Sequence, residues 1–147
     1  MIKMFIGSKL EYALKVLIEL ACRAQEEELT TSRSIAQACG IPQNYIPQII
    51  SALSKKGWIE SSRGPSGGIR LSTSPREITV QDVVEALDNR LIIKECLFSH
   101  KPCEQSQSCP LFPLWNKIQD RVTEVIEDTT IAQLVKDKAR LKKEAMS

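Results

Sequence analysis

The sequence predicts a mainly α-helical fold with one small β-hairpin, closed by a long amphipathic C-terminal helix. Apolar residues recur at helical spacing over several separate stretches, and two strand-like runs flank a glycine-rich tip at 64–67. Helical periodicity then returns at 114–128, after a loop bearing cysteines and prolines. At 147 residues the chain is about the size of one domain. Its 42% hydrophobic and 26% charged residues exclude disordered, collagen-like and low-complexity classes, and with only 5% aromatics the core must be aliphatic. The apolar stretch from Tyr12 to Cys22 is broken by Lys15 and Glu19, well short of the roughly 20 residues of a membrane span. The opening Met1-Ile2-Lys3-Met4-Phe5 lacks the long apolar region and small-residue cleavage site of a signal peptide, so a cytoplasmic location with no membrane partner is expected. Five cysteines in that compartment are not expected to form structural disulfides.

The first helix, over 9–24, places Leu10, Ala13, Leu14, Leu17, Leu20 and Ala21 on one face and Lys15, Glu19 and Arg23 on the other. Thr30-Thr31-Ser32 offers hydroxyl caps for a short second helix carrying Ile35, Ala36 and Ala38, which stops at Cys39-Gly40. A turn at Ile41-Pro42-Gln43-Asn44 leads into a third helix with Tyr45, Ile46, Ile49, Ile50 and Leu53 inward and Gly57 as its end. Asn44 is the expected cap, which puts Pro47 in the first turn, where little hydrogen bonding is lost. The hairpin follows as Trp58–Arg63 and Gly68–Ser72 around Gly64-Pro65-Ser66-Gly67, and Thr79-Val80-Gln81-Asp82 signals a capped fourth helix. The apolar stripe of 114–128, with Trp115, Ile118, Val122, Val125 and Ile126, packs against a second copy of itself or folds back on its own chain. Residues 131–135 add one apolar turn, and the lysine-rich stretch from Lys136 to Lys143 is expected to be solvated and frayed. This divides the chain into a domain at 1–90, a cysteine-bearing loop at 91–112, and a dimerisation helix with its tail at 113–147.

Two helices around a tight turn, followed by a hairpin with a basic tip, make a winged helix-turn-helix, a shape suited to duplex DNA. Net charge is only +2, yet Arg33, Lys55, Lys56, Arg63 and Arg70 face the single acid Glu60 over residues 33–70. Such a local surplus suits a nucleic-acid footprint, although charge alone reads equally as a solvated face. The amides Gln43, Asn44 and Gln48 at the start of the third helix can pair bidentately with adenine edges, while Ser51 and Lys55 lie where phosphates would meet them. In the hairpin, Gly64 and Gly67 allow close backbone approach and Arg63 can reach into the minor groove.

Cys96, Cys103 and Cys109 are spaced C-x6-C-x5-C, with Pro102 and Pro110 beside two of them. This is not the C-x2-C pairing of common zinc sites. By spacing alone an iron–sulfur cluster, a zinc site and sensing thiols all remain open, and a cluster would need a fourth ligand from elsewhere. Cys22 and Cys39 read as small core residues. No G-x-G-x-x-G, P-loop, H-E-x-x-H or nucleophile elbow occurs, so neither an enzyme nor a small-molecule substrate is expected.

The run Tyr45-Ile46 … Ile49 … Leu53 … Gly57-Trp58-Ile59 … Ser62-Arg63-Gly64-Pro65-Ser66-Gly67-Gly68, with Ile78-Thr79-Val80-Gln81-Asp82-Val83-Val84, closely resembles the Rrf2 family of bacterial transcription regulators. So does Tyr12-Ala13-Leu14-Lys15 in the first helix, and the likeness extends to about residue 135. The resemblance implies a DNA-binding homodimer on a double-stranded operator, with Arg63 in the minor groove and Asn44 and Gln48 facing bases. Pro42 and Pro47 stand where some members have serine and acidic residues. The resemblance also implies an iron–sulfur cluster at Cys96, Cys103 and Cys109. In the branch with a two-iron cluster a histidine follows the third cysteine by three residues, where this chain has Phe112. In the branch that resembles nitric-oxide sensors, a first-helix carboxylate from the other subunit completes a four-iron cluster, and the matching residue is Glu11. A 4Fe-4S cluster is therefore favoured over 2Fe-2S, with His100 or an exogenous ligand as other candidates for the fourth position. The expected function is a regulator whose operator binding is switched by the cluster in response to redox state, nitric oxide or iron–sulfur status, through the spacing of the two recognition helices. The alternatives are a cluster-free regulator controlled by thiol oxidation or a partner protein, and a small iron–sulfur redox protein.

Overall fold

The computed structural model describes residues 7–25, 29–64, 67–88, 91–93 and 108–146. Helix α1 (Ser8–Ala24) buries one stripe of Leu10, Ala13, Val16, Leu17, Leu20 and Ala21, and α2, α3, α4, α6 and strand β2 all touch this helix. Helix α2 (Ser32–Cys39) starts at Thr31, whose hydroxyl accepts the Ser34 amide at 3.0 Å. It ends at Gly40, held at φ 66° in the left-handed region where glycine carries no Cβ penalty, and the Ile41 amide returns to the Ala36 carbonyl at 2.9 Å.

The expected cap at Asn44 does not form. Residues Gln43–Tyr45 make a 3-10 turn closed by the Tyr45 amide on the Pro42 carbonyl at 3.1 Å, and α3 runs from Ile46 to Lys55. Pro42, fixed at φ −59°, tightens the chain before Asn44 is reached, so the side chain of Asn44 stays outside as an exposed amide. Pro47 does fall in the first turn of α3.

Strands β1 (Ile59–Ser62) and β2 (Gly68–Leu71) pair antiparallel with Ile59 opposite Leu71 and Ser61 opposite Ile69. The Ser72 and Thr73 hydroxyls donate to the Gly57 carbonyl at 2.8 and 3.2 Å, fastening the hairpin base to the end of α3. Thr30 adds a third, single-residue bridge: its carbonyl accepts the Ile69 amide at 2.6 Å and its amide donates to the Ile69 carbonyl at 3.3 Å. Helix α4 (Val80–Ala86) opens with a full capping box, in which the Thr79 hydroxyl accepts the Asp82 amide at 3.1 Å and Asp82 accepts the Thr79 amide at 2.9 Å.

Helix α5 (Leu111–Asp128) is followed after Thr129 and Thr130 by α6 (Ile131–Ala145). The stretch 136–143 is exposed as expected, apart from half-buried Asp137, but it is helical rather than frayed, as part of a helix that packs on α1. Ile131 is fully buried and its amide donates to the Ile78 carbonyl at 2.9 Å, while Leu134 and Val135 lie against the core. Lys138 Nζ reaches Glu19 at 3.0 Å. Among the described residues no helix is long and apolar enough to cross a membrane.

Two outcomes follow for the docking of α6. Ile131→Ala should lower stability by about 2–4 kcal/mol in denaturant unfolding, because the void cannot close against a rigid aliphatic core. Burial alone raises the Glu19 carboxyl, but hydrogen bonds from Arg23 and Lys138 outweigh it and hold the pKa below the ordinary glutamate value. The stabilisation from the ionised carboxylate is thus complete at neutral pH and lost as pH falls through the lowered pKa. Thermal melts should show wild type above Glu19→Gln at neutral pH and the gap closing in the acid range.

Candidate nucleic-acid interface and thiol ligands

Helix α3 turns Ile46, Ile49 and Leu53 into the core, which leaves Gln48, Ser51 and Lys55 exposed on the opposite side. Gln43 and Asn44 are exposed on the turn just before it. Tyr45 is half-buried edge-on to Tyr12, with ring centroids 5.1 Å apart, so the start of the helix is seated on α1. Arg33, in the first turn of α2, lines a shallow groove with Gly40, Pro42 and Gln43 and thus joins the same surface. Two helices fixed this way present amides that can read base edges, ringed by cations for phosphates.

In the hairpin, Arg63 follows the last residue of β1 and is exposed. The turn itself accounts for the two glycines. Gly64 sits at φ 108°, the Gly67 amide closes on its carbonyl at 2.9 Å, and a Cβ on Gly67 would collide with the Ser62 carbonyl oxygen. Arg70, counted in the basic stretch of the sequence, is taken by Glu60 on the opposite strand through Nε at 3.1 Å and Nη2 at 2.9 Å. Of the cations in the basic stretch 33–70, the other four, Arg33, Lys55, Lys56 and Arg63, make no ion pair among the described residues.

Of the three loop cysteines, Cys109 is described; Cys96, Cys103 and also His100 lie outside the described residues. Cys109 is a free, half-buried thiol placed just before Pro110, which caps α5, and its carbonyl accepts the Phe112 amide at 3.2 Å. Among the described residues no three His, Cys, Asp or Glu side chains gather into a metal site. Glu11 lies exposed in the first turn of α1, its carboxylate 3.3 Å from Lys15 Nζ in an open pair of the kind that contributes little. Cys22 and Cys39, expected in the core, are only half-buried. Burial, and after it the charge of Glu19, pushes the Cys39 thiol up, so it is held in the protonated form.

Sequence reasoning missed Gln119. This side chain on α5 is buried: its Nε2 donates to the Leu91 carbonyl at 2.8 Å and to the Thr123 hydroxyl at 3.3 Å, and its Oε1 accepts the Ile93 amide at 3.0 Å. It therefore grips the backbone that leads into the cysteine loop, in a contact 26 to 28 residues distant along the chain that no local pattern announces. Elsewhere on α5, Leu111, Leu114, Ile118 and Val125 are 37–62% exposed at heptad-like spacing, an apolar seam left uncovered among the described residues.

Comparison with known proteins agrees with this geometry. The Rrf2 family profile, described as an iron-dependent transcriptional regulator, matches residues 6–137. The transcriptional regulator NsrR of Geobacillus kaustophilus is 35% identical over 133 residues, covering 90% of each chain. IscR of Pectobacterium carotovorum is 32% identical over 135 residues, covering 92% of this chain and 81% of that one. The structure of CymR, the global cysteine regulator of Bacillus subtilis, superposes with a TM-score of 0.71 at 33% identity, covering 92% of this chain and 98% of the other. With the winged helix-turn-helix in place, these likenesses make the chain a member of the Rrf2 family, a DNA-binding transcription regulator and not an enzyme.

Proposed function

We propose that the chain acts as a homodimer whose operator binding is switched by an iron–sulfur cluster held by Cys96, Cys103 and Cys109, with Glu11 of the partner subunit as the fourth ligand. Asn44, Gln48 and Gln43 read base edges, Arg63 enters the minor groove, and Arg33, Ser51 and Lys55 hold phosphates. The observation that carries the reading is the apolar seam of α5, which begins two residues after Cys109. Both described ends of the cysteine loop are tied to this one helix, through Cys109 at its start and through Gln119 gripping 91–93, about 12 Å further along.

The two described donors suit such a group: Cys109 is a free, half-buried thiol, and Glu11 is an exposed carboxylate held only by an open pair with Lys15. When bound, the cluster supplies a centre that reacts with oxidants and nitric oxide and is soft enough for thiolates. Cys109, as a ligand, would tie the group to the first turn of α5, and freeing the thiol would loosen that turn and thereby the seating of one seam on the other. The two α3 helices then lose the separation, about 34 Å or a multiple, that matches half-sites on one face of the duplex. The favoured cluster is 4Fe-4S, because Phe112 cannot take the place of a ligating histidine.

Protein purified without oxygen should be brown and hold about four irons per chain, and Cys109→Ser should lose the visible absorption. Loaded and cluster-free forms should differ in operator affinity at fixed salt. A colourless preparation that resists reconstitution would leave a regulator governed by thiol oxidation or a partner protein. Val125→Glu, on a side chain 62% exposed, should give a folded monomer by sedimentation and circular dichroism.

A further inference from the structure

We infer that Arg23 is the positioning residue that sets the hairpin wing against the recognition helix, and that α6 acts on it through Lys138 and Glu19. The guanidinium makes three contacts at once: Nε donates to Glu19 Oε1 at 2.9 Å, and Nη1 donates to the Thr30 hydroxyl at 2.7 Å and the Ser34 hydroxyl at 3.3 Å. Thr30 is buried and is the residue bridged in both directions to Ile69 at the middle of β2. Ser34 belongs to the first turn of α2, the helix that leads through Gly40 into α3. One planar fork therefore holds the flank of the wing and the entry to the helix-turn-helix in a fixed relation. The other oxygen of Glu19 accepts from Lys138 at 3.0 Å, so the position of α6 reaches the same fork through a single carboxylate. The arginine and the glutamate are about one-fifth exposed, which shields the pair from the screening that weakens open ion pairs.

The wing has its other fastening at its base, on the Gly57 carbonyl. With the base fixed, a shift at Thr30 tilts the hairpin. Arg63 lies two residues beyond Ser61, the partner of Ile69, so the tilt is carried about 7 Å outward to the tip. Arg23 thus governs where Arg63 meets DNA without itself touching it. The inference rests on the reading above that the wing contacts DNA, and the test separates the two.

The experiment uses the full chain and a duplex selected by the wild-type protein from a random-sequence pool. Arg23→Met keeps the stem and removes the fork, and should weaken binding about tenfold, with part of the loss restored in Arg23→Lys. Arg63→Ala added to Arg23→Met should cost little more, whereas Gln48→Ala should multiply the loss, because only the wing is misplaced. Thr30→Val, which removes the hydroxyl alone, should reproduce part of the effect and serves if Arg23→Met does not fold. Full multiplication of the Arg23 and Arg63 losses would overturn the inference. If Arg63→Ala binds as wild type, the wing reading fails, and hydrogen exchange at the Thr30 and Ile69 amides decides for Arg23: selective loss of protection in Arg23→Met supports the positioning role, and unchanged protection overturns it.

Discussion

The buried stripe of α1 is the constraint on which everything else rests. Leu10, Leu17 and Leu20 fill the centre while Ala13 and Ala21 let neighbouring backbones approach, so one helix seats α2, α3, α4, α6 and β2 together. In a chain this poor in aromatics, stability comes from many aliphatic contacts, each worth about 1.5–3 kcal/mol when fully buried, rather than from a few large rings. Sharing one scaffold has a mechanical result. The recognition helix and the C-terminal helix cannot be moved independently, since both lean on the same row of side chains.

Helix α5 is the exception to this arrangement. Its fully buried side chain is the polar Gln119, turned toward the backbone at 91–93, while Phe112, Trp115, Val122 and Ile126 are half-buried and Leu111, Leu114, Ile118 and Val125 stay exposed. The helix thus fixes its place in the chain's own fold through a polar contact and leaves part of its apolar surface exposed. A buried amide satisfied at both ends fixes one register of helix against loop, where a purely apolar contact would tolerate sliding.

Much of this was legible in the residues, and the limits are instructive. Helices α1 and α2, the hairpin and the capping box at Thr79 and Asp82 rest on short-range chemistry, which a linear pattern records directly. The exposed amides of 43–48 and the exposed Arg63 were equally readable, because α3 has an unmistakable inner face at Ile46, Ile49 and Leu53. The continuation of α6 through the lysine-rich stretch was not, since those side chains are indeed solvated and the anchor that holds the helix, Ile131 buried beside Ile78, forms only in the fold. Which of the five cations Glu60 takes was not legible, because Arg70 lies ten residues from it and becomes adjacent only across the hairpin. The cap at Asn44 failed for a local reason, the tightening imposed by Pro42, which competes with capping propensity and wins.

The outer edge of β1 bears on how such a protein survives at high concentration. Beyond Ile59 the strand offers Glu60, Ser61 and Ser62, all exposed, and it is only four residues long; β2, the more apolar strand, is covered on its far side by Thr30. A protruding hairpin is ordinarily a template on which foreign strands can add, the first step toward aggregation. Here the open edge is short, polar and charged, so the hairpin is a poor nucleus for amyloid-like growth.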